Sequence, residues 1–402
     1  MKTRSAASFV VFTTLAAATF ARQEPHKDSP QDPPVEVEPK KALPETRATL
    51  GRALTLLVEK QESLDGAETK SEWPYEGVYR ERGAIPIGYR IGGTAISAWA
   101  LIEAPGYAKS KEQCAAVARA VDFVLTQLDD PNMSIGFNAS YDVRGWGHTY
   151  ALNLFLRLRA LKLVPKGREK AVEAALGRLI ETLQKTAIVE TGGWNYSRPG
   201  GGAAAAPASP FMTAPTLLAL FEARRQGEQV DSAVVELALD RLEHARNDVG
   251  AIPYTTKGGR DEWPGAIGRS PVTEVVLLLA GRSDVARVRN TLDMFLQHWE
   301  WLEKRRKQSG THVAPYGIAP YYFMYAHTYA AFAIEFLPES ERASYRERFL
   351  ERLHQVQEPS GAWNDRVFAR SESFGTAMAV LALLAPQLPR AAGWASESGA
   401  KK

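Results

Sequence analysis

The sequence predicts an all-α fold, an (α/α)6 toroid of six helical hairpins, and three observations predict it. A threonine recurs six times at intervals of 48 to 64 residues, each time within an apolar segment. Those segments are apolar nearly all round, whereas a longer amphipathic segment precedes each of them. Between the two there is commonly a glycine followed within a few residues by an aromatic.

The apolar segments are GGTAISAWALI at Thr94, GHTYALNLFL at Thr149, FMTAPTLLALF at Thr213, PVTEVVLLLA at Thr273, AHTYAAFAI at Thr328 and FGTAMAVLALL at Thr376. A helix without a polar face belongs in the interior. These runs fall short of the ~20 residues a membrane span requires. They are expected as an inner ring.

The preceding segments carry the helical period. KAVEAALGRLIETLQK places Ala171, Ala175, Leu176, Leu179, Ile180 and Leu183 on one stripe, and ASYRERFLERLHQVQ does the same with Tyr345, Phe349, Leu353 and Val356. This pattern is that of an outer helix with one face inward. RATLGRALTLLVEKQ, EQCAAVARAVDFVLTQL, SAVVELALDRLEHA and VARVRNTLDMFLQHWEWLEK complete the outer set.

The glycine–aromatic connections are clearest in GGWNY, GAWND and GAIPY, and weaker in SIGF and SEWPY. Glycine supplies turn geometry and the aromatic plugs the gap between adjacent hairpins. An open solenoid would need polar faces on its end repeats. The first and last inner segments are as apolar as the middle ones, so the ring is expected to close.

The termini read differently. Lys2 and Arg4 precede an apolar run from Phe9 to Ala18, and Thr19-Phe20-Ala21 has small residues where signal peptidase prefers them. Residues 1–21 are therefore expected as a cleaved signal peptide and the protein as secreted or periplasmic. Residues 22–45 contain six prolines and few large apolar groups, the composition of a disordered linker. The toroid is expected over 46–388, with a flexible tail over 389–402.

Composition excludes several roles. The single cysteine, Cys114, forms no intramolecular disulfide and supplies no cysteine-rich metal site, so no metal or cofactor is implied. A net charge of +3 without a basic block argues against nucleic-acid binding. A monomer is expected, binding a small-molecule or glycan ligand.

FLERLHQVQEPSGAW, residues 349–363, resembles the QW repeat of squalene and hopene cyclases, in which a glutamine precedes a Gly-x-Trp turn. GGWNY and SFGTAMAVLALL resemble repeats of the wider prenyltransferase and squalene cyclase superfamily. The resemblance spans roughly residues 46–388 and implies the α/α toroid. It does not carry over the known active sites. The Asp-x-Asp-Asp acid of hopene-type cyclases does not occur, and Asp129-Asp130 reads as the solvated end of an outer helix. Cys114 has no metal-spaced partner of the kind protein prenyltransferases use. The order Glu112-Gln113-Cys114 does not match the Cys-x-Glu-Gln of thioester domains.

In a six-hairpin ring, repeats 2 and 5 stand opposite each other, and these two share the phrase His-Thr-Tyr-Ala. His148, Tyr150, His327 and Tyr329, with Glu274 from repeat 4, are the candidate catalytic residues. They are expected to line a pocket at the inner-helix N-termini, where the positive helix ends favour an anion. Histidine and tyrosine suit general base and acid. The alternative is that histidine and threonine cap the inner helices while tyrosine packs between them.

The candidate ligand-binding residues are Trp146, Trp194, Tyr196, Tyr254, Trp263, Tyr321, Tyr325, Trp363 and Asp365. Trp194 and Trp363 also read as hairpin plugs, and Asp365 and Arg366 either point to the mouth or pair with each other. Two long loops, 197–210 and 255–269, are candidate flaps.

Three functions stay open. One is a ligand-binding toroid that is not a hopene-type cyclase. Another is a carbohydrate-active lyase or hydrolase. The hydrolase requires two carboxylates ~5–9.5 Å apart, for which Glu274 with Asp261, Glu262 or Glu372 are the candidates. The third is a non-catalytic scaffold.

Overall fold

A computed structural model describes residues 44–198, 201, 204–256 and 262–394. The expected signal peptide, and the linker up to residue 43, lie outside the described residues.

The described chain is helical, with no β-strand beyond isolated bridges. The outer helices are α1 (Pro44–Glu59), α3 (Lys111–Gln127), α5 (Glu169–Thr186), α7 (Ser232–Ala245), α9 (Val285–Arg305) and α11 (Glu339–Gln355). The inner helices are α2 (Ile87–Ile102), α4 (Arg144–Ala160), α6 (Pro210–Arg225), α8 (Ser270–Leu279), α10 (Tyr322–Ile334) and α12 (Ser371–Leu384). Burial follows the patterning: α2 is buried at every position but Tyr89, Arg90 and Trp99, while α5 buries a single stripe from Val172 to Leu183. No helix among the described residues is long and apolar enough to cross a membrane.

Each inner helix packs on the next, and α12 packs back on α2. The seam is stitched by Ser371 Oγ, which donates to the Glu76 carbonyl at 2.7 Å, and by the ion pairs Arg370–Glu62 and Lys60–Glu372. The ring is closed, an (α/α)6 toroid.

The threonine that marks the repeats does not cap its own helix. In repeats 1, 3 and 6 it reaches the preceding loop, where Thr94, Thr213 and Thr376 Oγ1 accept from the amides of Trp73, Trp194 and Trp363 at 2.9, 3.0 and 3.1 Å. The same tryptophans donate their indole N–H to Leu57, Leu183 and Leu353 carbonyls in the last turn of the outer helix. One residue thus satisfies an orphan carbonyl of the outer helix and docks on the inner one. Gly93 and Gly375 stand just before the threonine because the tryptophan backbone crosses there. A Cβ would meet the Trp73 and Trp363 carbonyl oxygens at 2.4 and 2.3 Å.

The other repeats fill that position with side chains. In repeat 5, His327 is fully buried; its Nδ1 donates to the Phe323 carbonyl at 2.6 Å and its Nε2 accepts from Trp299 Nε1 at 2.8 Å. In repeat 2, His148 is 2% exposed and its Nδ1 is buried without a hydrogen-bond partner. In repeat 4, Ser270 Oγ accepts from the Ile252 amide while buried Arg269 donates to the Ile252 and Gly265 carbonyls.

The expected flexible tail is corrected up to residue 394. Trp394 is 3% exposed, donates its amide to Leu279 O and its indole N–H to Glu236 Oε1, and stacks on Phe221 at 5.3 Å. A large aromatic with two hydrogen bonds and a ring partner holds the strand against α6–α8. Residues 395–402 lie outside the described residues.

Candidate functional site

The inner helices begin at one mouth of the ring, where their first turns and the loops before them enclose a cavity of about 460 Å³. All six repeats contribute. Tyr75, Tyr79 and Tyr89 come from the first; Tyr141, Val143 and Trp146 from the second; Tyr196, Phe211 and Met212 from the third. Tyr254 comes from the fourth; His312, Tyr321 and Tyr325 from the fifth; Arg366 and Phe374 from the sixth. The rings hold one another edge-on, as in Tyr75–Tyr89 at 5.1 Å and Phe211–Tyr321 at 5.1 Å, the arrangement their quadrupoles favour. Gly92 leaves room for Trp146, whose ring lies 2.2 Å from where a Cβ would stand.

Beneath the cavity the ring is shut. Tyr150 and Tyr329, 179 residues apart, meet hydroxyl to hydroxyl at 3.1 Å, both buried. Trp146 and Tyr325 pack on them from the cavity side, at 5.1 and 4.6 Å between ring centres. Burial pushes the Tyr150 and Tyr329 phenols well above their ordinary range. They are a neutral, bonded floor.

Along one wall runs a chain of polar tips. Tyr254 bonds Tyr196, Tyr196 bonds Tyr321 at 2.8 Å, and Tyr321 bonds His312 Nε2 at 3.1 Å. His312 Nδ1 lies 2.8 Å from the Gly317 carbonyl and so carries the proton, which leaves Nε2 to accept from Tyr321. Arg366, also in the lining, is 2% exposed and makes no ion pair with its neighbour Asp365. Asp365 Oδ2 instead accepts from the Met324 amide at 3.1 Å, at the start of α10. Burial raises the Asp365 pKa to about 6, with the Arg366 charge opposing.

The residues expected at the site divide. Trp146, Tyr196, Tyr254, Tyr321 and Tyr325 line the cavity. Tyr150 and Tyr329 form the floor rather than the wall. His148 and His327 are buried but are not among the residues that line the cavity, whereas Tyr150 and Tyr329, two positions on, meet at its floor. Both imidazoles are held neutral: burial lowers their pKa to about 3 and about 4. Glu274 also faces outward, forked by Arg246 at 2.6 and 3.0 Å and bonded by Ser283. Trp194 and Trp363 are the plugs described above. Trp263 donates to Val249 O at 3.2 Å outside the lining, and Asp365 sits behind the wall.

The two loops bond each other: the Thr256 amide donates to Ala208 O and the Ala208 amide to Thr256 Oγ1. Arg260 and Asp261 lie outside the described residues. Sequence reasoning missed Tyr75, Tyr79, Tyr89, Tyr141, Phe211, His312 and Phe374 as lining residues. A signal existed for some of them. An aromatic stands two or three residues before the threonine in repeats 2, 3, 5 and 6, as Trp146, Phe211, Tyr325 and Phe374, and that position faces the cavity.

No family model matches this sequence, and no curated protein matches it. Similar solved structures include the GH76A α-1,6-mannanase from Salegentibacter sp. HEL1_6, at 12% identity and TM-score 0.53 over 85% of this chain and 99% of that one. A D-mannose isomerase matches at 10% identity and TM-score 0.52 over 85% and 97%. The type II terpene cyclase MstE from Scytonema matches at 15% identity and TM-score 0.48 over 86% and 100%. At these identities the likeness to the mannanase and the isomerase shows the α/α toroid fold and nothing finer.

Proposed function

We propose that this chain is an exported toroid that binds a small-molecule ligand in the tyrosine-lined cavity at the mouth of the ring. The observation that carries this reading is the convergence of aromatic side chains from all six repeats on one chamber of about 460 Å³, within the size range of small-molecule sites. Packing alone would fill the axis, as Tyr150 and Tyr329 do one layer below. Export rests on the first 21 residues of the sequence.

Two measurements test it. Crystals soaked with farnesol, and separately with a mannose oligosaccharide, should show density beside Trp146 and Tyr325 with at least one. Val78 lines the rim and is 48% exposed, so Val78→Trp should block entry without loss of stability. A cavity that stays vacant with both soaks, or binding that ignores Val78→Trp, sinks the reading. For export, mass spectrometry of protein recovered from outside the cytoplasm should show a chain beginning at Arg22.

A carbohydrate lyase is the second reading, favoured by the Tyr321–His312 contact at 3.1 Å. In an elimination, a base takes the carbon-bound proton and an acid protonates the leaving oxygen, and histidine with tyrosine supplies both. The hydrolase version lacks support, since no carboxylate is among the described residues that line the cavity. Glu262 is exposed, and Glu274 and Glu372 are ion-paired outside it. Formation of an unsaturated sugar from a uronate polymer, lost in Tyr321→Phe, would establish the lyase; no product would remove it.

A further inference from the structure

The geometry points to a ligand bearing a single carboxylate, seated on Arg366 with its apolar body among the aromatic rings. This rests on the cavity being the ligand site. Arg366 lines the cavity, is 2% exposed, and has Nε and Nη1 buried without hydrogen-bond partners. Its guanidinium lies 5.7 Å from the centre of the Phe368 ring. The backbone turns the neighbouring carboxyl elsewhere: Asp365 Oδ2 is spent on the Met324 amide behind the wall.

A guanidinium stays charged at physiological pH and presents N–H donors in a planar fork. Burying it unpaired is costly, and replacing such a group by an uncharged one often stabilises a protein. A chain that keeps it against an aromatic chamber therefore keeps it against its own stability, the pattern expected of a recognition group.

The charge of the ligand follows from counting. Among the described lining residues there is no lysine, and His312 is exposed at the rim. One buried guanidinium balances one negative charge, so a phosphate dianion would bury a second charge unpaired. A carboxylate fits the fork in bidentate fashion. Tyr75, Tyr89 and Tyr321 stand close enough to Arg366 to sense its charge, and phenols can donate to the same carboxylate. The first turns of α4, α6 and α12 open onto the chamber and add the positive ends of helix dipoles. Apart from eight tyrosine phenols and the Trp146 indole, all on large aromatic rings, the polar side chains of the described lining are Ser197, Thr311, His312 and Arg366. The body of the ligand is accordingly apolar.

Calorimetry on the full chain tests this with three matched pairs: 4-phenylbutyrate and 4-phenyl-1-butanol, dodecanoate and 1-dodecanol, D-glucuronate and D-glucose. One of the two apolar carboxylates should bind ~10–100-fold more tightly than its alcohol, as a charge-assisted hydrogen-bonded pair implies. Arg366→Gln should bring the acid down to the affinity of its alcohol, and Arg366→Lys should keep part of the preference. Ligand-free Arg366→Gln should melt at or above the wild-type temperature, which a structural arginine would not allow. Equal binding of acid and alcohol, a preference that survives Arg366→Gln, or a melting point several degrees lower overturns the assignment while the cavity reading stands. A preference confined to glucuronate overturns the apolar body alone. If no pair binds, or if binding persists in Val78→Trp, the cavity reading itself falls and takes the inference with it.

Discussion

Replacing the repeat threonines by valine one at a time separates those that hold the tryptophan loops from one that does not. Thr94, Thr213, Thr273 and Thr376 are all fully buried, and valine nearly matches threonine in volume. In Thr94→Val and Thr376→Val the amides of Trp73 and Trp363 lose their acceptor inside the protein. A buried donor left unmade costs ~1–3 kcal/mol, and no other partner for either amide is within reach in the described structure. Thr213→Val loses more, because Thr213 Oγ1 both accepts from the Trp194 amide and donates to the Trp194 carbonyl at 3.1 Å. Thr273 is the internal control. Its hydroxyl only bonds back to Arg269 O at 3.0 Å, and that carbonyl keeps its helical partner, the Thr273 amide. Such back-bonding adds little to a helix, so Thr273→Val should lie within ~0.5 kcal/mol of wild type. Guanidinium denaturation followed by circular dichroism gives the four values, provided the slopes agree. If Thr273→Val falls with the other three, or if all four stay near zero, the clasp does not hold the loops.

Two further outcomes follow from buried polar groups. Tyr150→Phe and Tyr329→Phe should each cost ~1–2 kcal/mol, because each leaves the opposite hydroxyl unpaired. The double variant should cost less than the sum, and strict additivity in the cycle would show that the hydroxyls do not interact. For His327, the folded pKa of about 4 lies below the ~6.5 of an unfolded histidine. Its contribution is therefore fully present above pH ~6.5 and is lost as pH falls toward about 4. Asp365, raised to about 6, acts in the opposite sense over part of that window, so the histidine term must be isolated by comparison. Between pH 7.5 and 5.0, His327→Gln should lose ~2 kcal/mol less stability than wild type; equal losses would mean that His327 is not held neutral.

How much of this was legible in the sequence depends on which physical signal each residue leaves. The helices were readable because burial imposes a period on the outer set and removes it from the inner one. Ring closure was readable because neither end repeat exposes a polar face. The floor pair was half readable: the repeated His-Thr-Tyr-Ala phrase marks repeats 2 and 5, and Tyr150 and Tyr329 do meet across the axis. What the phrase could not convey was rotation. A helix that is apolar all round has no polar stripe to say which side faces the axis, so histidine and tyrosine two positions apart looked like members of one site. They face opposite ways, and the reason lies outside the helix. In repeats 1 and 6 the position before the threonine is glycine because a tryptophan backbone crosses there, as at Gly93 and Gly375, while in repeat 3 it is Met212, which lines the cavity. Where no tryptophan crosses, as at His148 and His327, a histidine fills the space. Tyr75 and His312 escaped for a different reason, and Arg366 was left between two readings for the same one. They sit in loops, where no period assigns a face, and only the closed ring brings them to one mouth. The same argument restores weight to the loops. The first turns of the inner helices give the chamber part of its aromatic lining, and the loops add Tyr75, His312 and Arg366, which no helical period constrains.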